Sequence, residues 1–123
     1  MPARIVITAS GAEIAGLFGL SSQPELEPRH NIAPPAPIPA IRATNGAREL
    51  AELQWGLIPY FSGDPPGDAH VNARVETVSR KPSFRDAFKS RRCLVPVSGF
   101  YGWKPNGPRK QPYYFRPPVG FHP

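Results

Sequence analysis

The stretch VNARVETVSRKPSFRDAFKSRRCLVPVSGFYGWK (residues 71–104) holds the strongest structural signals in this chain. Proline is favoured in the first turn of a helix, and Pro82 stands where a helix can begin. Phe84 and Phe88 are separated by about one helical turn, so they would share one helical face. Together these features predict a helix over residues 83–89.

The end of this stretch and the residues after it are typical of strands. CLVPV (93–97) and GFYGWK (99–104) are rich in β-branched and aromatic residues, which favour a pleated, half-buried surface. The Asn106-Gly107 pair supplies a tight turn. We therefore expect QPYYFR (111–116) to pair back on the preceding strand as a hairpin.

Two further elements are predicted near the N-terminus. RIVITA (4–9) is β-branched and predicts a short strand. Ser10 and Glu13 have the spacing of a capping box, and Gly19 is a residue type that commonly ends helices, so a helix is expected between them. The apolar face of this helix would consist of Ile14, Leu17 and Phe18.

The middle of the chain alternates between loops and strands. Residues 21–40 contain too many prolines for regular structure and are expected to form a loop, and residues 59–70 are rich in turn-forming residues. IPAIRA (38–43) and LAELQWGLI (50–58) are predicted to be strands. The expected fold class is α+β, with mostly short strands and two short helices in one domain.

Composition narrows the class of protein. The 123 residues include 18 prolines, yet 40% of the residues are hydrophobic, which favours a folded body with many loops. No apolar run approaches the roughly 20 residues that cross a membrane, and no signal peptide is visible. The single cysteine is compatible with a reducing compartment. A cytoplasmic protein is therefore expected, associated with the nucleoid if the source is bacterial.

Charge is distributed unevenly along the chain. Residues 1–73 carry four basic and seven acidic side chains, whereas residues 74–116 carry eleven basic and two acidic ones. Such an uneven charge distribution favours binding to a polyanionic partner, and nucleic acid is the first candidate. The alternative is a solvated face that keeps the protein soluble, and charge alone does not separate the two interpretations.

The usual metal ligands show no pattern in this sequence. The spacing of His30, His70, His122 and Cys93 matches no known ligand set, so neither a metal nor a cofactor is expected. Cys93 lies inside an apolar segment, and we expect it to be buried as a small hydrophobic residue.

One polar constellation stands out in the stretch 71–104. Asn72, Arg74 and Glu76 alternate, so on a strand they would share one face. Burying such a face is costly unless its groups pair with one another or meet a ligand. An exposed polar strand gives the same pattern, so the spacing alone leaves both interpretations open.

Aromatic and basic residues are interleaved in the second half of the chain. Bases of single-stranded nucleic acid stack on such rings while Lys and Arg follow the phosphates, whereas the alternative is a core of aromatic strands. We expect most of these rings to lie in the core, with Trp55 the exception because its segment runs straight into a loop. The rings belong to Trp55, Tyr60, Phe61, Phe100, Tyr101, Trp103, Tyr113 and Tyr114.

Several segments, in order, are similar to the SRAP family (SOS response-associated peptidases, also called abasic-site processing proteins). They are HNIAPPAPIPAIR (30–42), LQWGLIP (53–59), the stretch 71–104 and KQPYYF (110–115). The resemblance implies a compact, barrel-like, mostly β fold with short helices. It covers only the N-terminal part of the family domain. We therefore expect a partial, C-terminally truncated SRAP domain over residues 1–116, followed by an unstructured tail over 117–123.

The resemblance also implies a function. Family members bind single-stranded DNA that carries an abasic site, and a cysteine at position 2 becomes their N-terminus once the start methionine is removed. The amine and thiol of this cysteine condense with the sugar aldehyde to give a stable thiazolidine DNA–protein crosslink. An asparagine, a glutamate and a histidine assist, and the same site is credited with self-processing, hence the word peptidase.

The family pattern is met only in part by this sequence. The catalytic positions implied are Pro2 and Asn72: Asn72 matches the family asparagine, but Pro2 stands in place of the cysteine. Gly102 stands in place of the glutamate, and His122 lies in no matching context. Whether the chain is an enzyme is therefore left open. The DNA-binding positions implied are Arg4, Asn31, Pro34, Trp55 and Arg74.

Three interpretations follow for this chain. The first is an abasic-site processing protein of the DNA damage response; proline has no thiol for a thiazolidine, but a secondary amine can still form an iminium with an aldehyde. The second is a non-catalytic module that binds single-stranded DNA. The third is a truncated gene product without function. A monomer with no membrane or metal partner is expected in each case.

Overall fold

The computed structural model describes residues 2–62 and 69–118, which contain two helices and six strands. The chain forms two compact units, Met1–Ala33 with Pro96–Pro123, and Pro34–Val95. The mostly β fold with short helices that the sequence predicts is confirmed. In chain order the elements are β1 (Ile5–Ile7), α1 (Gly11–Phe18), β2 (Arg29–Ile32), β3 (Pro37–Thr44), β4 (Ala47–Gln54), α2 (Arg85–Ser90), β5 (Gly99–Asn106) and β6 (Arg109–Phe115).

The first unit contains a four-stranded sheet in the order β2-β1-β5-β6, and every neighbouring pair is antiparallel. β1 lies inside this sheet, because Ile5 pairs with Ile32 of β2 on one side and with Phe100 of β5 on the other. The short strand that follows the N-terminal segment is therefore held along both edges. The buried apolar side chains of this unit are Ile5, Val6, Ile7, Ile14, Ala15 and Ile32.

α1 begins and ends where its local sequence predicts. The hydroxyl oxygen of Ser10 accepts a hydrogen bond from the main-chain N–H of Glu13 at 3.1 Å, which caps the first turn. Gly19 follows the helix with a φ of 67°, a left-handed conformation that glycine adopts without strain. Within the predicted apolar face Ile14 is buried, whereas Leu17 is 50% exposed.

The second unit is organised around the β3–β4 hairpin. Asn45 and Gly46 form its turn, and both have a positive φ (51° and 79°), as a two-residue hairpin turn requires. Ile41 of β3 also exchanges two main-chain hydrogen bonds with Leu94, at 2.8 and 2.9 Å. The buried apolar side chains among the described residues of this unit are Ile38, Pro39, Ala40, Ile41 and Pro59.

One ion pair spans this hairpin. Nε of Arg42 lies 2.8 Å from Oε1 of Glu49, and the hydroxyl of Thr44 donates to the same oxygen at 3.0 Å. The bond from Arg42, and after it the bond from Thr44, holds the pKa of Glu49 below its usual value of 4.5. A carboxyl whose pKa is lowered by folding stabilises the protein above its unfolded pKa, and this contribution is lost as the pH falls through the folded value.

We therefore expect a small acid-dependent loss of stability at this pair. The free energy of unfolding of the wild-type protein should fall more between neutral pH and about pH 3 than that of Glu49→Gln, which has no carboxyl to protonate. The difference is small because both side chains are nearly half exposed, at 47% and 45%. Urea titrations at several pH values measure it, and identical pH dependence in the two proteins would contradict the assignment.

Three predictions, for CLVPV (93–97), for Cys93 and for residues 21–40, are wrong. CLVPV (93–97) contributes only the bridge of Leu94 to Ile41, and its Pro96 has no N–H with which to extend a strand ladder. Cys93 is exposed rather than buried because no strand carries it inward. Residues 21–40 are not wholly loop, since they contain β2 and the start of β3.

The remaining predicted elements are present with shifted bounds. α2 covers Arg85–Ser90 in place of residues 83–89, and Phe84 stands at its N-terminal cap. The predicted hairpin is formed by β5 and β6, but its turn is Gly107-Pro108 rather than Asn106-Gly107. Part of the turn-rich segment 59–70 lies outside the described residues, as does His122. Neither helix in the described part of the chain is long and apolar enough to cross a membrane.

Candidate nucleic-acid interface

Two of the predicted DNA-binding residues are joined in the first unit. Arg4 directly precedes β1 and Asn31 lies in β2, and the pairing of these strands brings the two side chains together. Nη1 of Arg4 donates a hydrogen bond to Oδ1 of Asn31 at 3.0 Å, and both residues are exposed. A guanidinium has several N–H donors, so this bond orients the group and leaves other donors for a phosphate oxygen.

Tyr101 is attached to both strands that carry this pair. Its main-chain N–H donates to the carbonyl oxygen of Arg4 at 3.0 Å, and its hydroxyl donates to the carbonyl oxygen of His30 at 3.3 Å. Tyr101 therefore helps to position Arg4 and Asn31. Sequence reasoning had assigned Tyr101 only to the aromatic core, because a hydrogen bond to a distant main-chain carbonyl leaves no trace in the sequence.

The positions of the family cysteine and glutamate also lie in the first unit. Pro2 is half-buried and precedes Arg4 by two residues. Gly102 follows Tyr101, and a Cβ atom there would lie 2.8 Å from Cε2 of Phe115. The Phe115 ring, which is 50% exposed, therefore occupies space that a side chain at position 102 would need. Because the Phe115 ring is exposed, it can rotate away, so a side chain at position 102 could be accommodated.

Trp55 of the second unit is tied to the segment that precedes Asn72. Its indole N–H donates to the carbonyl oxygen of Val71 at 3.0 Å, while Leu57 and His70 exchange two main-chain hydrogen bonds at 2.8 Å. These bonds hold the segment just before Asn72 against the residues that follow β4. Trp55 and Asn72 are both half-buried, as is Pro34.

Gly56 allows the close approach of these two segments. Its φ of 137° lies in a region that residues with a side chain rarely adopt. A Cβ atom at this position would also lie 2.9 Å from Cβ of Ala69. The glycine of the sequence motif WGLIP is therefore required by backbone conformation and by packing together.

The predicted strand through Asn72, Arg74 and Glu76 is not formed. Residues 75–80 form successive turns, in which the main-chain N–H of Val78 donates to the carbonyl oxygen of Arg74 at 3.0 Å. Main-chain N–H groups of this segment donate to nearby carbonyl oxygens, so the segment does not pair with a sheet. The side chains of Asn72, Arg74 and Glu76 therefore do not share a strand face. Arg74 and Glu76 are exposed.

Most rings that were expected in the core are exposed. Apart from Pro59, the buried apolar side chains of the described residues all lie between Ile5 and Ile41, so the described part of the chain offers the later aromatic residues few buried positions. Trp55 and Tyr101 are half-buried. The exposed rings are those of Tyr60 (72%), Phe61 (55%), Phe100 (38%), Trp103 (50%), Tyr113 (49%) and Tyr114 (44%).

The predicted site residues are divided between the two units. The structure joins Arg4 to Asn31, and it joins Trp55 to the residue that precedes Asn72. Among the described residues no group of three or more His, Cys, Asp or Glu side chains could hold a metal ion. Pro2, Arg4 and Asn31 belong to the first unit, and Pro34, Trp55, Asn72 and Arg74 belong to the second.

Comparison with known proteins identifies the family. The family model described as SOS response associated peptidase (SRAP) matches residues 1–121. The chain belongs to the SRAP family. Among curated SRAP relatives, the abasic site processing protein YoqW of Bacillus subtilis is 42% identical over 86 residues, which are 69% of this chain and 38% of YoqW. The abasic site processing protein HMCES of Xenopus tropicalis is 38% identical over 77 residues, 58% of this chain and 23% of HMCES.

Solved structures share the fold of this SRAP chain. A protein from Bacteroides thetaiotaomicron superposes with a TM-score of 0.74 at 27% identity, covering 91% of this chain and 53% of that one. A phage-related protein from Bordetella bronchiseptica gives 0.71 at 30% identity, covering 91% and 54%. The SRAP chain therefore spans about half the length of these structures and less than two fifths of YoqW.

Proposed function

We propose that this SRAP chain binds single-stranded DNA at abasic sites without completing the stable crosslink that the family resemblance implies. The observation that carries the proposal is the hydrogen bond from Arg4 to Asn31, which orients an exposed guanidinium two residues from Pro2. The names of the relatives YoqW and HMCES, abasic site processing proteins, support the choice of lesion.

The second unit supplies further groups suited to a DNA strand. Arg74 is an exposed cation for a phosphate, and Trp55 offers a half-buried ring beside the loop that leads to Asn72. Pro34, the remaining predicted contact, is half-buried. In this proposal Asn72 orients the ring-opened sugar, as the family resemblance implies.

The chemistry of Pro2 limits what can follow binding. An aldehyde and a secondary amine give a carbinolamine, which takes up a proton and loses water to form an iminium. Water adds back to the iminium with release of the proton, and the carbinolamine then splits into the aldehyde and the amine. A thiazolidine needs a thiol on the same residue, which proline lacks. General acid–base assistance typically contributes about 10²–10⁴-fold to such steps, and Gly102 has no side chain with which to supply it. We therefore assign binding, and not lasting capture, to this chain.

Substitution of the two arginines tests the binding mode. Arg4→Ala and Arg74→Ala should each weaken binding to an abasic single-stranded oligonucleotide about tenfold, since each removes a charge-assisted phosphate contact. Each should also reduce the slope of log affinity against log salt by about 0.7, the contribution of one phosphate on a single strand. Fluorescence anisotropy titrations over a range of salt concentrations measure both quantities.

Arg48→Ala is the matched control for these variants. Arg48 is an exposed arginine of β4 outside the proposed site, so its loss changes the net charge equally. At physiological salt we expect an affinity change below about twofold, because screening limits the reach of a distant charge. If all three variants lost affinity equally, binding would be a net-charge effect and the proposed site would be wrong.

A further inference from the structure

A second basic surface lies in the second unit, on α2 and the turn before it. Residues 80–92 contain six basic side chains and one acidic one. Arg85 and Lys89 lie four residues apart in α2, so they share one face of the helix. The main-chain N–H of Arg85 donates to the carbonyl oxygen of Lys81 at 2.8 Å, so the helical turn extends back to Lys81. We call these three exposed residues, Lys81, Arg85 and Lys89, the α2 cation row.

The charges of the α2 cation row are poorly neutralised by the protein itself. Among the described residues the row makes one ion pair, in which Nε of Arg85 and Oδ1 of Asp86 are 3.9 Å apart. Both side chains of this pair are more than half exposed, so the pair contributes little. Like charges four residues apart destabilise a helix, and such local conflicts are expected mainly at functional sites. An anion bound along the row would relieve the repulsion.

Aromatic contacts hold α2 in place. Phe84 and Phe88 are half-buried. The ring of Phe84 meets the ring of His70 edge to face, with centroids 5.3 Å apart. The guanidinium carbon of Arg92 lies 4.4 Å from the centre of the Phe88 ring, a distance typical of a cation–π contact. The helix that carries the row is therefore fixed against the segment that leads to Asn72.

The α2 cation row continues from the part of the proposed site that lies in the second unit. A run of main-chain turns begins at Arg74, whose carbonyl oxygen accepts a hydrogen bond from the N–H of Val78 at 3.0 Å. The run reaches the row at Lys81, whose N–H donates to the carbonyl oxygen of Thr77, also at 3.0 Å. A DNA strand with one phosphate on Arg74 can therefore extend from this position onto the row.

The length and chemistry of the row suit the backbone of a DNA strand. Lys81 and Lys89 are eight residues apart, which corresponds to about 12 Å along a helix. Phosphates of a stacked strand recur about every 3.4 Å along its axis, so the row spans about three of them. Between Lys81 and Lys89, all within the described part of the chain, no large apolar side chain is exposed. Contact is therefore expected with phosphates, and not with the faces of bases.

We propose that the α2 cation row binds the backbone of the undamaged single strand that flanks an abasic site. This inference rests on the proposed DNA binding and extends it beyond the lesion. Arg4 and Arg74 contact phosphates near the abasic sugar, and the row contacts the phosphates of the nucleotides that follow. Because phosphates are the same at every nucleotide, the row adds affinity without sequence preference.

An acidic polypeptide fits the α2 cation row less well. Protein interfaces take most of their binding energy from a few large anchors, above all aromatic side chains and arginines, that fill desolvated pockets. The two large apolar side chains beside the row, Phe84 and Phe88, are half-buried and already contact His70 and Arg92. A row of cations without an accessible apolar anchor suits a partner that presents a regular row of anions.

The length of the oligonucleotide separates the row from the lesion site. Two single strands each carry one abasic site, flanked on both sides by about three or about twelve undamaged nucleotides. The wild-type chain should bind the longer strand about tenfold more tightly. Its slope of log affinity against log salt should be steeper by about 2, since each of three phosphates contributes about 0.7. Fluorescence anisotropy titrations measure both quantities.

A triple variant and a matched control assign this gain to the row. Lys81→Gln, Arg85→Gln and Lys89→Gln together should bind the short strand as the wild type does and gain less than about twofold from the longer flanks. The control removes three exposed cations from β5 and β6 and should keep the tenfold gain; its substitutions are Lys104→Gln, Arg109→Gln and Lys110→Gln. Far-UV circular dichroism establishes that both variants keep the fold.

Three results would overturn the inference while leaving the proposed function standing. In the first, the wild type binds the short strand and gains nothing from longer flanks. In the second, the triple variant and the control lose the gain equally, which makes it an effect of net charge. In the third, polyglutamate competes for the row as well as an undamaged oligonucleotide does. A wild-type chain that binds neither strand would overturn the proposed function, and this inference with it.

Discussion

Pro2→Cys, with Met1 removed, is expected to form an adduct with abasic single-stranded DNA that survives denaturation without a reductant, whereas the wild-type chain forms none. The thiol and amine of the new N-terminal residue both add to the sugar aldehyde. A C–N and a C–S bond replace the C=O bond, and the oxygen leaves as water. Pro2 supplies only the nitrogen, and water returns its carbinolamine or iminium to the free aldehyde.

Denaturing electrophoresis with a labelled oligonucleotide measures this change, after intact-mass analysis has established that Met1 is absent. Pro2→Ser is the matched control, because it offers a primary amine and a hydroxyl in place of the thiol and should give no lasting adduct. A stable adduct with the wild-type chain, or none with Pro2→Cys, would show that the sulfur is not what this chain lacks.

Gly11→Ala is expected to lower the free energy of unfolding by about 3 kcal/mol, because the added methyl group has no space. Gly11 is buried at the start of α1, and a Cβ atom there would fall on the carbonyl oxygen of Pro24 and lie 2.7 Å from its carbonyl carbon. Main-chain atoms cannot turn aside as a side chain can, so the helix or the loop at Pro24 must shift.

Gly16→Ala is the matched control in the same helix. A Cβ atom at Gly16 meets nothing within 4 Å, so the substitution only removes the flexibility of glycine and should stabilise the protein by about 0.5–1 kcal/mol. Urea denaturation followed by circular dichroism measures both variants. Similar effects at the two positions would mean that Gly11 does not approach the Pro24 main chain as described.

Elements whose causes are local could be predicted from the sequence. α1 is bounded by Ser10 and Gly19, whose roles depend only on neighbouring main-chain groups. The β5–β6 hairpin was also predicted, because its strands are separated by a short turn. By contrast, CLVPV (93–97) has the composition of a strand but finds a partner only at Leu94. The composition of a segment indicates that it favours a strand conformation, but it does not show whether another strand lies beside it to pair with.

Only part of the candidate site could be predicted, because some of its contacts depend on residues far apart in the sequence. Arg4 and Asn31 were proposed as site residues from the family resemblance, one residue at a time, and the structure joins their side chains by a hydrogen bond. The strand expected through Asn72 and Arg74 failed, because turns at residues 75–80 satisfy the main chain locally. The part played by Tyr101 depends on a carbonyl oxygen 71 residues away and had no sequence signal.

The interior position of β1 has a consequence for how the protein is made. Val6 pairs with Gly99, and the carbonyl oxygen of Arg4 accepts a hydrogen bond from the main-chain N–H of Tyr101, so both contacts await a segment that is synthesised long after β1. Until residues 99–101 emerge, β1 can pair only with β2, and its other edge stays open. An enzyme that removes a start methionine can therefore reach the N-terminal segment before β1 is paired along both of its edges.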